Sequence, residues 1–165
     1  MDGFEKHNSG TSFLVFLLFT YKIFLSGKMI KNITVLYAED DYDDFMILSD
    51  AFKAYSEDIE LIRAENGLKL IDYLKHVPSP ANYPGLIILD LNMPIMDGKE
   101  TLARLKSLEQ YSDIPIVIFT TSSDVRDKRI LEKYDVPFYT KPISYNDLKP
   151  IVEMFVAHGG LNQGD

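Results

Sequence analysis

The sequence predicts a doubly wound α/β domain, a five-stranded parallel sheet with helices on both faces. Three observations predict it. Strand-like and helix-like segments alternate from Ile33 to His158. The strand-like runs LIIL and IVIF are apolar at every position, as strands buried on both faces are. The helix-like runs are amphipathic, each with one apolar side to lay on a sheet.

Each element has its own signal. Ile33–Ala38 is a short β-rich apolar run. Asp43–Tyr55 places Phe45, Ile47, Leu48, Ala51 and Phe52 at helical spacing, with acids in its first turn. Ile59–Ala64 is the second strand. Gly67–Val77 is a helix with Leu70, Ile71 and Leu74 inward. Pro78–Gly85 is a loop by its turn residues. Leu86–Leu91 is a strand, and Gly98–Leu108 is a helix with Leu102 and Leu105 inward. Met93, Ile95 and Met96 read as packing of the loop between them. After a loop over Tyr111–Pro115, Ile116–Thr121 is a strand. Asp124–Tyr134 is charged and weakly amphipathic, and Pro137–Thr140 is a short strand. Tyr145–His158 closes as a helix with Leu148, Ile151, Val152, Phe155 and Val156 on one side.

Composition narrows the function. The chain has 165 residues, 46% hydrophobic, enough for one domain with a core. Net charge is −8, against nucleic-acid binding, which needs a basic face. There is no cysteine, and His7, His76 and His158 are scattered, so disulfides, thiolate zinc and histidine metal clusters are excluded. A cysteine-free chain fits the cytoplasm. The first 28 residues differ from the rest. Phe13–Leu25 is apolar but shorter than a bilayer span and interrupted by Lys22. Met1–Ser12 lacks the basic lead of a signal peptide. The expectation is an N-terminal extension over 1–28, non-native or disordered, before a natural start at Met29. The domain is then 29–165, and no membrane anchor is expected.

In a doubly wound sheet, ligands bind beyond the carboxyl ends of the strands. Those ends carry Glu39-Asp40-Asp41, Asp90, Thr120-Thr121-Ser122 and Lys141-Pro142. Asp90 directly follows an apolar run, where a charge is costly unless paired or used. The expectation is that it faces solvent at the strand end. Grouped carboxylates repel and raise one another's pKa unless a cation intervenes. Oxygen-only ligands suit Mg²⁺, which shares its waters with phosphate. An aspartate can form an acyl phosphate, and Lys141 with the Thr120 hydroxyl could hold phosphoryl oxygens. Proline after Lys141 biases that lysine to extended backbone.

These residues resemble the receiver domain of two-component response regulators, of the chemotaxis-type single-domain kind. The stretches are VLYAEDD at 35–41, LIILDLNMPIMDG at 86–98, IPIVIFTTSS at 114–123 and FYTKP at 138–142. They come in family order, with 50 residues from Asp40 to Asp90, 30 on to Thr120 and 21 on to Lys141. The resemblance implies a flavodoxin-like fold. It implies Asp90 as phosphoacceptor from a sensor histidine kinase or phosphotransfer protein. Asp40 and Asp90 would bind Mg²⁺, with the Asn92 backbone carbonyl and with Glu39 through water. Thr120, Lys141 and Phe138 would bind phosphate or switch, and Asn92 and Ser122 would tune hydrolysis. The Lys141–Pro142 bond is often cis in the family.

There are departures. Thr121 stands where a small residue is common, and the switch aromatic Phe138 lacks a hydroxyl. The loop Pro78–Gly85 and the run TTSS resemble the subgroup near phytochrome-partner regulators. Two other classes compete. A Mg²⁺-dependent aspartyl phosphatase would want an aspartate where Asn92 stands, and a cap insertion. A phosphate-independent pseudo-receiver has no need of Asp90, Asp40 and Lys141 together. The expectation is a signalling domain, not an enzyme beyond its own phosphoryl transfer and dephosphorylation. Only seven residues follow the last helix. Output is therefore expected through protein–protein contact by Asp124–Tyr134, Phe138 and the final helix, homodimer included.

Overall fold

The computed structural model describes residues 33–122 and 124–161, so the expectations on residues 1–28 lie outside the described residues. Five strands form one sheet: β1 Ile33–Ala38, β2 Ile59–Ala64, β3 Leu86–Leu89, β4 Ile116–Thr120 and β5 Phe138–Thr140. Their order is β2-β1-β3-β4-β5 and every pairing is parallel. Five α-helices connect and close them: α1 Tyr42–Tyr55, α2 Gly67–His76, α3 Gly98–Ser107, α4 Val125–Glu132 and α5 Leu148–Gly159. This is the expected flavodoxin-like arrangement.

Period-two alternation deals each strand's side chains to two cores. Val35, Tyr37, Ile88, Val117 and Phe119 pack with Leu48 and Phe52 of α1 and Val152, Phe155 and Val156 of α5. Leu36, Ala38, Ile87, Leu89 and Ile118 pack with Leu70 and Leu74 of α2, Leu102 and Leu105 of α3, and Leu131 of α4. Both faces being covered, the central strands are almost wholly apolar, with Thr34 in β1 and Thr120 at the end of β4 as exceptions.

Asparagine and aspartate caps start three helices. Asp41 accepts from the Asp43 and Asp44 amides, Asn66 from Lys69, and Asp97 from Glu100. Gly160, at φ 60, stops α5 in the left-handed conformation that glycine adopts freely.

The structure amends several expectations. β3 ends at Leu89, because the chain turns back so that the Gly98 amide can reach the Leu91 carbonyl. The last helix opens with a 3₁₀ turn over Tyr145–Asp147 before α5 begins. The loop Pro78–Gly85 contains a 3₁₀ turn at Pro80–Asn82. Ile47 is exposed, since α1 turns Leu48 and Phe52 to the sheet instead. Met93 and Met96 are buried, but Ile95 between them is 77% exposed. Among the described residues no peptide bond is cis, so Lys141–Pro142 is trans, the lower-energy isomer. No helix among them is long and apolar enough to cross a membrane.

Candidate functional site

Backbone pairing carries the strands' parallel geometry one residue past their ends. Glu39 N donates to Ala64 O at 2.9 Å, Asp90 N to Ala38 O at 3.0 Å, and Lys141 N to Thr120 O at 2.9 Å. The residues following β1, β3 and β5 are thereby brought to one rim of the sheet. There Glu39, Asp40 and Asp90 each present a carboxylate oxygen, all within 4.8 Å of one another.

Asp90 does not face solvent as expected; it is 5% exposed. Its Oδ2 accepts from the Asn92 amide at 3.3 Å. Its Oδ1 is buried with no hydrogen-bond partner among the described residues. A buried carboxylate oxygen left bare is expensive unless something of opposite charge meets it. Three oxygens converging at this spacing suit a hard divalent cation, so the donor set fits one.

Lys141 arrives from the other side. Its ammonium lies 2.6 Å from Glu39 Oε2 and 2.7 Å from Asp44 Oδ2. Burial works against that ammonium, but the bonds to Asp44 and Glu39 outweigh it and hold its pKa above the ordinary lysine value. Glu39 is raised from the usual carboxylate value. Burial is the main cause, opposed by the bonds from Lys141 and Tyr37, and repulsion from Asp90 is a lesser one. The expected mutual repulsion is thus present but secondary to desolvation. The Tyr37 hydroxyl donates to Glu39 Oε2, and burial, then Glu39, pushes its pKa well above the ordinary tyrosine range.

Thr120 is fully buried at the end of β4, and its Oγ1 accepts from the Ser122 amide at 3.2 Å. Ser122 Oγ donates to Asp127 Oδ2 at 2.8 Å. Phe138 is half-buried in β5 and packs on the core that holds α2, α3 and α4. The Asn92 side chain is exposed.

Sequence reasoning missed Tyr37, Asp44 and Arg63. Arg63, at the end of β2, donates from Nε to Glu39 O at 2.9 Å and from Nη2 to Asp40 O, and its guanidinium lies 5.5 Å from the Tyr42 ring centroid. It clamps the backbone of the acidic pair. Tyr37 had a signal: it stands two residues before Glu39, hence on the same side of the strand and its one-residue extension. Asp44 and Arg63 had none, because the first meets Lys141 through the phase of α1 and the second depends on the register of β1 against β2.

Comparison with known proteins agrees with this geometry. The model of the response regulator receiver domain matches residues 35–153. The chain is 33% identical to the probable methanogenesis regulatory protein FilR2 of Methanothrix harundinacea, over 72% of this chain and 78% of that one. It is 32% identical to the response regulator Rcp1 of Synechocystis, over 72% and 83%. The Mn²⁺-bound structure of Rcp1 superposes with a TM-score of 0.66, covering 76% of this chain and 92% of that one at 31% identity. The phosphorylated cyanobacterial phytochrome response regulator RcpA superposes with a TM-score of 0.68, covering 76% and 95% at 28% identity. Since the family match runs from within β1 to within α5 and takes in the whole acidic rim, this chain belongs to the response regulator receiver domain family of two-component signalling.

Proposed function

We propose that the chain is a phosphorylation-dependent switch. Asp90 accepts a phosphoryl group from a sensor histidine kinase or a phosphotransfer protein in the cytoplasm, with Mg²⁺ as cofactor. The observation that carries this is the bare, buried Oδ1 of Asp90 beside Glu39 and Asp40. Relatives lend support: RcpA has been crystallised phosphorylated and Rcp1 with Mn²⁺.

Asp40 and Asp90 would hold the cation directly, Asn92 through its backbone carbonyl and Glu39 through a water. Bound there, Mg²⁺ supplies positive charge that screens the incoming phosphate from the acids. Asp90 Oδ1 attacks phosphorus, and the phosphorus–nitrogen bond of the donor imidazole breaks with its electron pair leaving on nitrogen. Lys141 exchanges its carboxylate partners for a phosphoryl oxygen, and the Thr120 hydroxyl donates to another. Phe138 follows Thr120 inward, giving the two arrangements of a switch. Thr121, exposed beside that path, slows access of water, and Asn92 and Ser122 tune hydrolysis.

Two faces suit partners. Ile143 is fully exposed and Ile47 is 46% exposed, and both line a cleft of about 200 Å³ with Asp44 and Lys141. A phosphodonor protein could cover this apolar patch while reaching the rim. Output runs through α4, Phe138 and α5 to another protein, a second copy included, with no nucleic acid.

The test is intact mass of the full chain after incubation with Mg²⁺ and acetyl phosphate. One added phosphoryl group, absent in Asp90→Asn and in chelator, is the expected outcome. No added mass despite bound Mg²⁺ and a fluoroberyllate adduct that fails to form would overturn the reading.

A further inference from the structure

Outside the acidic pocket, three side chains join the first turn of α3, the first turn of α4 and the loop after β4. Lys99 Nζ donates to Asp127 Oδ1 at 2.9 Å, and Ser122 Oγ donates to Asp127 Oδ2 at 2.8 Å. Ser122 in turn accepts from the Asp124 amide at 3.3 Å and gives its own amide to Thr120 Oγ1 at 3.2 Å. At the other end, Lys99 is the second residue of α3, whose first residue, Gly98, lies against the phosphoacceptor's backbone. A Cβ on Gly98 would come 2.1 Å from Asp90 O. A continuous set of contacts therefore runs from the Asp90 backbone, through α3 and α4, to the Thr120 hydroxyl.

The set is saturated and charged. Both carboxylate oxygens of Asp127 have donors, and the residue is 8% exposed. The hydrogen bond from Lys99, then that from Ser122, holds Asp127 below the ordinary carboxylate pKa. The bond to Asp127 holds Lys99 above the ordinary lysine value. Both are ionised at neutral pH, and charge-assisted bonds at a partly buried site are stronger than surface pairs.

Resting on the reading of Asp90 as phosphoacceptor, we propose that Lys99 and Asp127 are positioning residues that clamp the loop after β4 in its resting arrangement and oppose the turn of Thr120 towards a phosphoryl group. The competition is local. The Thr120 hydroxyl is engaged by the Ser122 amide. Turning it away either breaks that bond or carries Ser122 along, and moving Ser122 breaks its bond to Asp127. Cutting the clamp removes that opposition and shifts the population towards the phosphate-engaged arrangement.

The test uses the full chain with Mg²⁺ and fluoroberyllate, a phosphoryl mimic, followed by fluorine NMR titration. Asp127→Ala and Lys99→Gln are each expected to bind fluoroberyllate about fivefold more tightly than wild type, the low end of coupling between sites. The double variant is expected to gain less than the product of the two, because both cut one clamp. Mn²⁺ affinity without fluoroberyllate is expected to stay unchanged, whereas general loss of structure would weaken both ligands. Asp127→Asn, which keeps an acceptor for Ser122 but no charge for Lys99, should fall between wild type and Asp127→Ala, and serves if the alanine variant does not fold. Unchanged or weaker fluoroberyllate binding in all variants, with wild type binding it, overturns the clamp. If wild type neither binds fluoroberyllate nor gains mass from acetyl phosphate, the phosphoacceptor reading itself falls and the clamp falls with it.

Discussion

Ile95 has φ 71, in the loop between Asp90 and α3. The Met96 amide reaches back to Pro94 O at 2.8 Å, closing a three-residue turn around it. A β-branched residue in the left-handed region crowds its own backbone, so the turn is strained. Its side chain, mostly in solvent, recovers little by packing. Ile95→Gly should therefore stabilise the protein by about 0.5–1 kcal/mol, relief of strain outweighing the added freedom of the unfolded chain. Urea unfolding reads this directly, and a lower midpoint would show that the turn is not strained. The loop's other residues explain why it keeps this shape: Met93 and Met96 anchor it in the core on either side of the turn. Glu39 makes a related point about single residues. A buried acid with a raised pKa is at odds with its surroundings until positive charge arrives, and Lys141 meets only part of that need.

At the scale of elements, α3 and α4 are linked by the Lys99–Asp127 pair as well as by the core beneath them. Asp127 is held below the ordinary carboxylate range, chiefly by its bond from Lys99. A carboxylate depressed in the folded state adds stability that is complete above its unfolded pKa and is lost as pH falls through the folded one. Wild type and Asp127→Asn should therefore unfold at similar temperatures in strong acid and diverge as pH rises to neutrality, with wild type the more stable. Parallel melting curves across that range would assign the pair no net role. Elements were the most legible feature of the sequence. β1 and β2 fall where their apolar runs lie, and β3 was overrun by two residues because Leu91 is apolar yet sits in the turn. Phase was less legible than existence. Ile47 satisfies helical spacing as well as Leu48 does, and which of them meets the sheet depends on how α1 is rotated. The site divides the same way. Asp90, Glu39, Asp40 and Lys141 were readable because strand ends in a parallel sheet must gather. Asp44, Arg63 and Asp127 were not, because they meet their partners through helix phase and strand register, which a pattern of residue types leaves open.

At the scale of the molecule, the sheet divides the interior in two. The core under α1 and α5 and the core under α2, α3 and α4 have no residue in common. Ile71→Val in α2 and Val152→Ala in α5 remove methyl groups from opposite cores. Each should destabilise, the first by about 0.5–1.5 kcal/mol. Their effects should add within about 0.5 kcal/mol in the double variant, as for sites that share no partners. A larger departure in urea unfolding would mean that strain crosses the sheet. Independence of this kind bears on how such a chain can change over generations. Drift in the residues beneath α1 and α5 leaves the packing beneath α2 to α4 undisturbed, so each outer surface can be refitted to a new neighbour without re-optimising the other. Only the rim, where strand ends from both layers meet around Asp90, has to stay still.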